Sequence, residues 1–438
     1  MSNVHVHGPL DRNFAWDGER VYREADFAPG SERPSQLRGP AAAVQPGAGG
    51  TWRVVRDPLG INKLFWAEEA DGSIAVAARP RRLIDLGHPL ERISAVPRGC
   101  VVDLDPAAAE PVQHSIIPAS WSSRDHARRL SLEAAGRRLR STLDRYLAAV
   151  ASANPGAKVF VCLSGGLDSS SVAALSCQHF AEVVGVSFDL RRRPGRASED
   201  RLTAQRLARD LGMPLLEVTV TEEELFRHLD TVLVEGIDWR DFNVHAALVN
   251  AAMAEAIRNA TPGLEAIVLT GDLANEFLVD YHSESYRGRT YYPLPRLSPR
   301  ALQTSLVQGL DSCHREVGIF GAWDLSVVQP YAVAVDDYLD LADDVLAMDN
   351  RKELLCRAAV GGLLPGYIFT RPKVRAQVGS AEIGGGVLAA CVDRGLDGPW
   401  LRRRFAELHS VTDPAMLDRF VRAGRYRSSV PSPVGRAA

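Results

Sequence analysis

The sequence predicts an α/β protein built on a doubly wound parallel sheet, with a smaller β-rich part of α+β character ahead of it. Three observations carry that expectation. Short runs of apolar and small residues recur at 159–163, 183–188 and 266–270. They have the pattern of strands buried on both faces, and helical stretches of about 10 to 15 residues separate them. The first run enters a Ser164-Gly165-Gly166-Leu167-Asp168-Ser169-Ser170 turn, with a small-residue helix expected from about Val172. Residues 1–118, in contrast, alternate apolar and polar side chains between turn signals, as antiparallel hairpins do.

At 438 residues the chain is long for one core. It is expected to divide into a β-rich domain at 1–118, a parallel-sheet domain at 119–425 and a disordered tail at 426–438. No apolar run approaches the roughly 20 residues of a membrane span, and the N-terminus lacks the basic and apolar regions of a signal peptide. A cytoplasmic protein with no membrane partner is expected. The formal net charge of -3 gives no case for nucleic acid. Six scattered cysteines, without a C-x-x-C pair or histidines at zinc spacing, read as free thiols.

Taken in order, the segments TWRVVRD, KLFWAEE, SIAVAAR and CVVDLDP read as strands of the first part. Between 119 and 150 apolar residues return at helical spacing, and Asn154-Pro155-Gly156 ends that helix. The glycine turn follows its strand. Next come the run at 183–188, a helix opened by Ser198 with acids in its first turn, the strand LLEVTVT at 215–221, and the run at 266–270. Residues 280–300, with four tyrosines and three prolines, read as a long loop beside the site, suited to substrate recognition or closure. From 301 the chain is helical again.

The strand, glycine turn and helix N-terminus form a phosphate cradle, since glycines admit close approach and the helix dipole favours anions. No lysine follows the glycines, so this is not a Walker loop. Asp168 follows instead, and an acid beside a phosphate asks for magnesium between them. A second strand end, at 270, carries Gly271 and Asp272. Acids at two strand ends of one sheet converge on one cation, which pairs Asp168 with this loop.

The S-G-G-x-D-S pattern resembles the PP-loop of ATP pyrophosphatases, which split ATP into AMP and pyrophosphate. Further segments resemble the asparagine synthetase and β-lactam synthetase family. Arg56-Asp57-Pro58-Leu59-Gly60-Ile61 is similar to a segment of the N-terminal glutaminase domain of class II amidotransferases. That domain works with a cysteine after Met1, whereas this chain has Ser2 and its nearest cysteine is Cys100. The resemblance thus implies a degenerate Ntn-like domain and a nitrogen donor other than glutamine. The family's S-G-[DE]-G-[AGS]-D-E is met by Thr270-Gly271-Asp272-Leu273-Ala274-Asn275-Glu276, and Glu235-x-x-Asp238 fits its E-[ST]-x-D. Its K-x-x-L-R and R-x-K pattern is met by Lys352 to Arg357, with one extra residue, and by Arg371-Pro372-Lys373.

The resemblance implies ATP-dependent adenylation of a carboxylate, then attack by an amine to give an amide or lactam, with ATP and Mg2+ as cofactors. Leu163, Ser164, Gly165, Gly166, Asp168, Ser169, Ser170 and Gly271 would hold ATP, with Val186 and Ser187 near adenine and ribose. The metal ligands would come from Asp168, Asp272 and Asn275, the last a neutral oxygen where an acid is expected. Lys373 would stabilise both charged steps. Asp311, His314 or Glu316 would be the general base, Glu316 being favoured. The partners implied are a small-molecule carboxylate and an amine, or one amino-acid-like substrate, in bacterial natural-product biosynthesis; a dimer is one option. A lasso-peptide macrolactam cyclase and a non-catalytic nucleotide-binding PP-loop partner are the alternatives.

Overall fold

The computed structural model describes residues 4–23, 37–47, 51–105, 111–121, 129–192, 196–308, 314–382, 384–413 and 415–417. Ser2, Asp311 and the tail at 426–438 lie outside them, as does the His314 side chain.

A five-stranded parallel sheet organises the larger part. Its strands are β1 (Lys158–Cys162), β2 (Val183–Leu190), β3 (Leu215–Val220), β4 (Ala266–Leu269) and β5 (Ser326–Val328). They lie in the order β3-β2-β1-β4-β5, with Val161 opposite Gly185 on one side and Leu269 on the other. The chain winds outward from β1 in one direction and returns to wind in the other, so the crevice between the C-terminal ends of β1 and β4 is the topological switch point.

Alternation along the strands divides the core in two. Val159, Val161, Ile267 and Leu269 pack with Leu139, Leu143 and Tyr146 of helix α1 (Leu132–Ala153) and with Val172 and Leu175 of helix α2 (Leu167–His179). Phe160, Val186, Phe188 and Val268 face the other way. There they meet Val244, Leu248 and Ala251 of helix α4 (Asp241–Ala260). Helix α3 (Glu199–Asp210) opens on Ser198, whose side chain accepts from the Arg201 N–H, with Glu199 and Asp200 in its first turn, as expected.

The N-terminal region holds two four-stranded sheets. One has the order Val4–Val6, Ile74–Ala77, Phe65–Glu68, Ser94–Ala95, and the other Val112–Ser115, Cys100–Leu104, Trp52–Arg56, Ala42–Pro46. Val54, Leu64, Val76, Val96 and Val102 fill the space between them. The opposite face of the first sheet, with Phe65, Ala67, Ala75 and Ala77, belongs to the same core as Val232, Ile319 and Phe320. Buried Arg79 ties the two regions together, 2.8 Å from Asp11 and 2.9 Å from Glu235.

The Arg56-Asp57 segment is spent on its own turn. Arg56 donates to the carbonyls of Gly60, Asn62 and Val96, and Asp57 accepts from the amides of Gly60, Ile61 and Asn62. Cys100 is buried in a strand, and burial pushes its thiol above its ordinary value, unlike an activated nucleophile.

The segment read as a long loop is in part a hairpin, Glu284–Tyr286 pairing antiparallel with Arg289–Tyr291, and helix α5 (Pro299–Gln308) follows it. Its Arg287-Gly288 turn puts both residues at positive φ, 49° and 74°. Among the described residues no helix is long and apolar enough to cross a membrane.

Candidate active site

The glycine turn and α2 are continuous. The helix starts at Leu167 with Gly166 as its N-cap, not near Val172 as expected. Serines give no apolar period to read, but their side chains bond back along the chain. Ser169 Oγ donates to Gly166 O (3.1 Å) and Ser171 Oγ to Leu167 O (2.7 Å). Asp168 and Ser169 therefore sit in the first helical turn, where amides are free to face an anion. Gly165 has φ +70°, and a Cβ there would lie 2.5 Å from the Thr203 side chain.

The loop after β4 closes against this turn. A Cβ on Gly271 would be 2.7 Å from the Ser169 nitrogen, so glycine is what lets the two strand ends meet. Leu273 follows at φ +82°, standing where the resembling family has glycine. A left-handed leucine costs about 1–2 kcal/mol, and its burial in the core holds it there.

Between these loops opens a cavity of about 440 Å³. Of the phosphate-loop residues, Leu163, Ser164, Gly166, Asp168 and Ser169 line it. Val186, Gly271, Asp272, Asn275, Glu316 and Lys373 line it too. Gly165, Ser170 and Ser187 are not on its wall. Ser187 follows Val186 along β2 and so points to the opposite face, against its expected place near the ribose. Ser170 is fully buried within α2.

Lys352, on helix α7 (Arg351–Val360), is the main addition to the expected site. Its ammonium lies 2.6 Å from Asp168 Oδ2, 2.7 Å from Asn275 Oδ1 and 3.2 Å from Asp280. Lys373 reaches the same two oxygens at 3.4 and 2.9 Å. Burial pushes the Asp168 carboxyl up, but the two ammoniums outweigh it and hold it below its ordinary value. Burial, then the Lys352 charge, draws Lys373 down to about 8. Lys352 moves the opposite way, since Asp168 and Asp280 together overcome its desolvation. Arg371, two residues before Lys373, donates to Ser164 O at 2.8 Å and pairs with Asp200, fixing the segment that presents Lys373 to the loop.

A second charged group faces the cavity from helix α6 (His314–Ala322). Glu316 is 1% exposed, 2.6 Å from Arg315 Nη2 and 3.4 Å from Gln329 Nε2. Burial lifts its carboxyl well above the ordinary range against the pull of Arg315, and Asp272 and Glu276 add to the rise. Tyr281 and Tyr292, at the two ends of the hairpin segment, line the cavity as well. Tyr281 donates to Glu276, and Tyr292 shares a 2.8 Å hydrogen bond with buried His245.

Among the described residues no group of three or more His, Cys, Asp or Glu is placed to hold a metal alone. Asp168 Oδ1 is nevertheless buried with no hydrogen-bond partner. One free carboxylate oxygen suits a Mg2+ that keeps its remaining ligands from phosphates and water. Asp272 Oδ1 lies 3.1 Å from Arg315. Asn275 Oδ1 is engaged by both lysines.

The asparagine synthase family model matches residues 139–318. The chain is 26% identical over 302 residues to the carboxyethyl-arginine beta-lactam-synthase of Streptomyces clavuligerus, covering 66% of this chain and 53% of that protein. It is 33% identical over 147 residues to the tRNA-specific 2-thiouridylase MnmA of Sorangium cellulosum, covering 31% of this chain and 37% of that protein. It thus spans 53% and 37% of the lengths of these relatives. A glutamine-dependent NAD+ synthetase from Acinetobacter baumannii, solved with ADP, aligns at 13% identity and a TM-score of 0.31, over 76% of this chain and 56% of that one. The asparagine synthase match spans the glycine turn, the Gly271 loop and Glu316, so over residues 139–318 the chain is similar to the asparagine synthase family.

Proposed function

We propose that the protein is an ATP-dependent, AMP-forming amide ligase acting on small molecules. A substrate carboxylate oxygen attacks the α-phosphorus of ATP and pyrophosphate leaves. An amine nitrogen then attacks the acyl-adenylate carbon, AMP leaves, and the amine's proton passes to the protein. The observation that carries this reading is that Lys373 and Glu316 face one cavity with the Ser164–Ser169 loop.

The chain's own groups suit the two steps. The amides of the first turn of α2 receive phosphate oxygens. Lys373, with 29% of its side chain exposed and its counter-ions shared with Lys352, is free to follow negative charge onto pyrophosphate and then onto the acyl oxygen. Glu316 takes the proton, and its raised value brings it closer to an amine than an ordinary carboxylate would be. Asp168 would hold Mg2+, which when bound neutralises the phosphate charge.

We infer that the nitrogen does not come from glutamine, because Arg56 is committed to three backbone carbonyls and Cys100 is buried. The amine belongs either to a second metabolite or to the same substrate, which would then close to a lactam. Similarity to the carboxyethyl-arginine beta-lactam-synthase supports the lactam branch, and we propose a setting in bacterial natural-product biosynthesis, in the cytoplasm.

Isotope exchange of pyrophosphate into ATP, screened over candidate carboxylates, tests this. Exchange that disappears in Lys373→Ala and Asp168→Ala is the expected result. A non-catalytic nucleotide-binding role is favoured by one observation, the two lysines saturating Asp168 Oδ2 and Asn275 Oδ1. ATP binding without exchange on any carboxylate would establish that role instead.

A further inference from the structure

Arg315 stands at the junction of three elements. From α6 its Nη1 donates to Asn243 Oδ1 of α4 at 3.2 Å, while its Nη2 donates to Asp272 Oδ1 in the β4 loop at 3.1 Å. The same Nη2 lies 2.6 Å from the neighbouring Glu316 carboxylate. Asn243 is anchored in turn, its amide donating to Asp238 Oδ2, and Asp238 also receives Arg240. A chain of charge-assisted contacts thus runs from Asp238 through Asn243 and Arg315 to the Glu316 carboxylate on the cavity wall.

Resting on the amide-ligase reading, we propose that Arg315 is a positioning residue for the amide-forming half of the reaction: it holds the Glu316 carboxylate aimed at the attacking amine and takes no part in adenylation. The remaining groups around Glu316 make this necessary. Asp272 and Glu276 face it from the β4 loop, Cys162 from the end of β1 and Gln329 from the end of β5. Of these, two are acids and none is a cation, so without Arg315 a fully buried carboxylate is left among like charges. It would then keep a proton and accept none from an amine. Asp238, which the sequence offered only as part of a motif, acquires a role as the far anchor of this arm.

The test separates the two half-reactions with purified full-length protein and a panel of α- and β-amino acids as carboxylates. Hydroxylamine is largely neutral at pH 7 and attacks an acyl-adenylate without a base, whereas methylamine is protonated and needs one. For Arg315→Met, pyrophosphate exchange and hydroxamate formation are expected to stay within about threefold of wild type. Methylamide formation, or lactam formation where the panel member cyclises, is expected to fall by about 100-fold or more, the scale of a lost general base. Arg315→Lys is expected to recover at least about tenfold of that loss, which a purely structural defect would not allow.

Exchange and amide formation falling together in Arg315→Met would overturn the proposal, as would methylamide formation at the wild-type rate. Arg315→Lys giving no recovery while exchange persists would also overturn it. Absence of exchange in the wild-type protein over the whole panel would instead overturn the amide-ligase reading itself, and the proposal with it.

Discussion

Replacing Lys352 by methionine removes a buried cation and keeps most of the side-chain volume. The ammonium lies 2.6 Å from Asp168 and 3.2 Å from Asp280, and the Lys352 and Asp168 side chains are only 7% and 9% exposed. Losing one partner of a buried ion pair costs about 3–5 kcal/mol, because the other charge stays behind. Lys373, 3.4 Å from the same Asp168 oxygen, remains to meet part of that cost. The expected loss is therefore at the low end, about 3 kcal/mol. Urea unfolding in buffer containing a metal chelator measures it as a lower midpoint at unchanged slope. Acid supplies a control. Asp168 is held below its ordinary value of 3.8, so its contribution is complete above that pH and disappears as pH falls through its folded value. The gap between wild type and variant should close over that range. A loss below about 1 kcal/mol at neutral pH, the level of a surface pair, or a gap that persists in acid, would refute Lys352 as the counter-ion of Asp168.

Lys373 should report on the ligand through its proton. Drawn down to about 8, it deprotonates in the free protein as pH rises through that value, and a bound triphosphate restores the ammonium. ATP binding in chelated buffer should take up close to one proton near pH 9 and little near pH 7, so affinity falls with rising pH between them. Calorimetry in buffers of different ionisation enthalpy reads this directly; equal uptake in Lys373→Met would assign the proton elsewhere. In Gly271→Ala a methyl group meets the Ser169 nitrogen at 2.7 Å and parts the two loops. ATP affinity should drop about tenfold or more, roughly 1.4 kcal/mol, with the unfolding transition preserved, and unchanged affinity would deny the loops their contact. Arg56→Met strands three carbonyls and the buried Asp57, a loss of about 3–5 kcal/mol visible in thermal unfolding. A wild-type Tm would show that the turn stands without its arginine.

The parallel sheet was legible because strands buried on both faces leave nearly continuous apolar runs, and β1, β2 and β4 each do so. The glycine turn was legible because glycine positions answer to backbone geometry, which Gly165 and Gly271 both exhibit. Lys373, expected from its motif, and Glu316, favoured among three candidates, both face the cavity. The start of α2 was hidden by a run of serines, whose helical role depends on hydroxyls bonding to carbonyls within the turn. Lys352 was visible as a letter in a motif, but its partners Asp168 and Asp280 are 184 and 72 positions away along the chain. Arg315 gave no local signal at all, since its meaning lies in the meeting of α4, α6 and the β4 loop. The hairpin at 284–291 was read as loop because its strands are three residues each and carry charge rather than an apolar face.

The first N-terminal sheet has two apolar faces, one toward its companion sheet and one shared with Val232, Ile319 and Phe320. A layer of that kind is not baggage that a lineage can shed. Splitting the gene between the two regions would leave each product with a raw hydrophobic wall and would part Glu235 from Arg79, which stays with Asp11. Whatever chemistry the N-terminal region once performed or still performs, it is inherited as upholstery for the helix that carries Arg315 and Glu316. Random insertions should therefore be rejected along Phe65–Glu68 and Ile74–Ala77 as firmly as in the glycine turn, although neither strand touches the cavity.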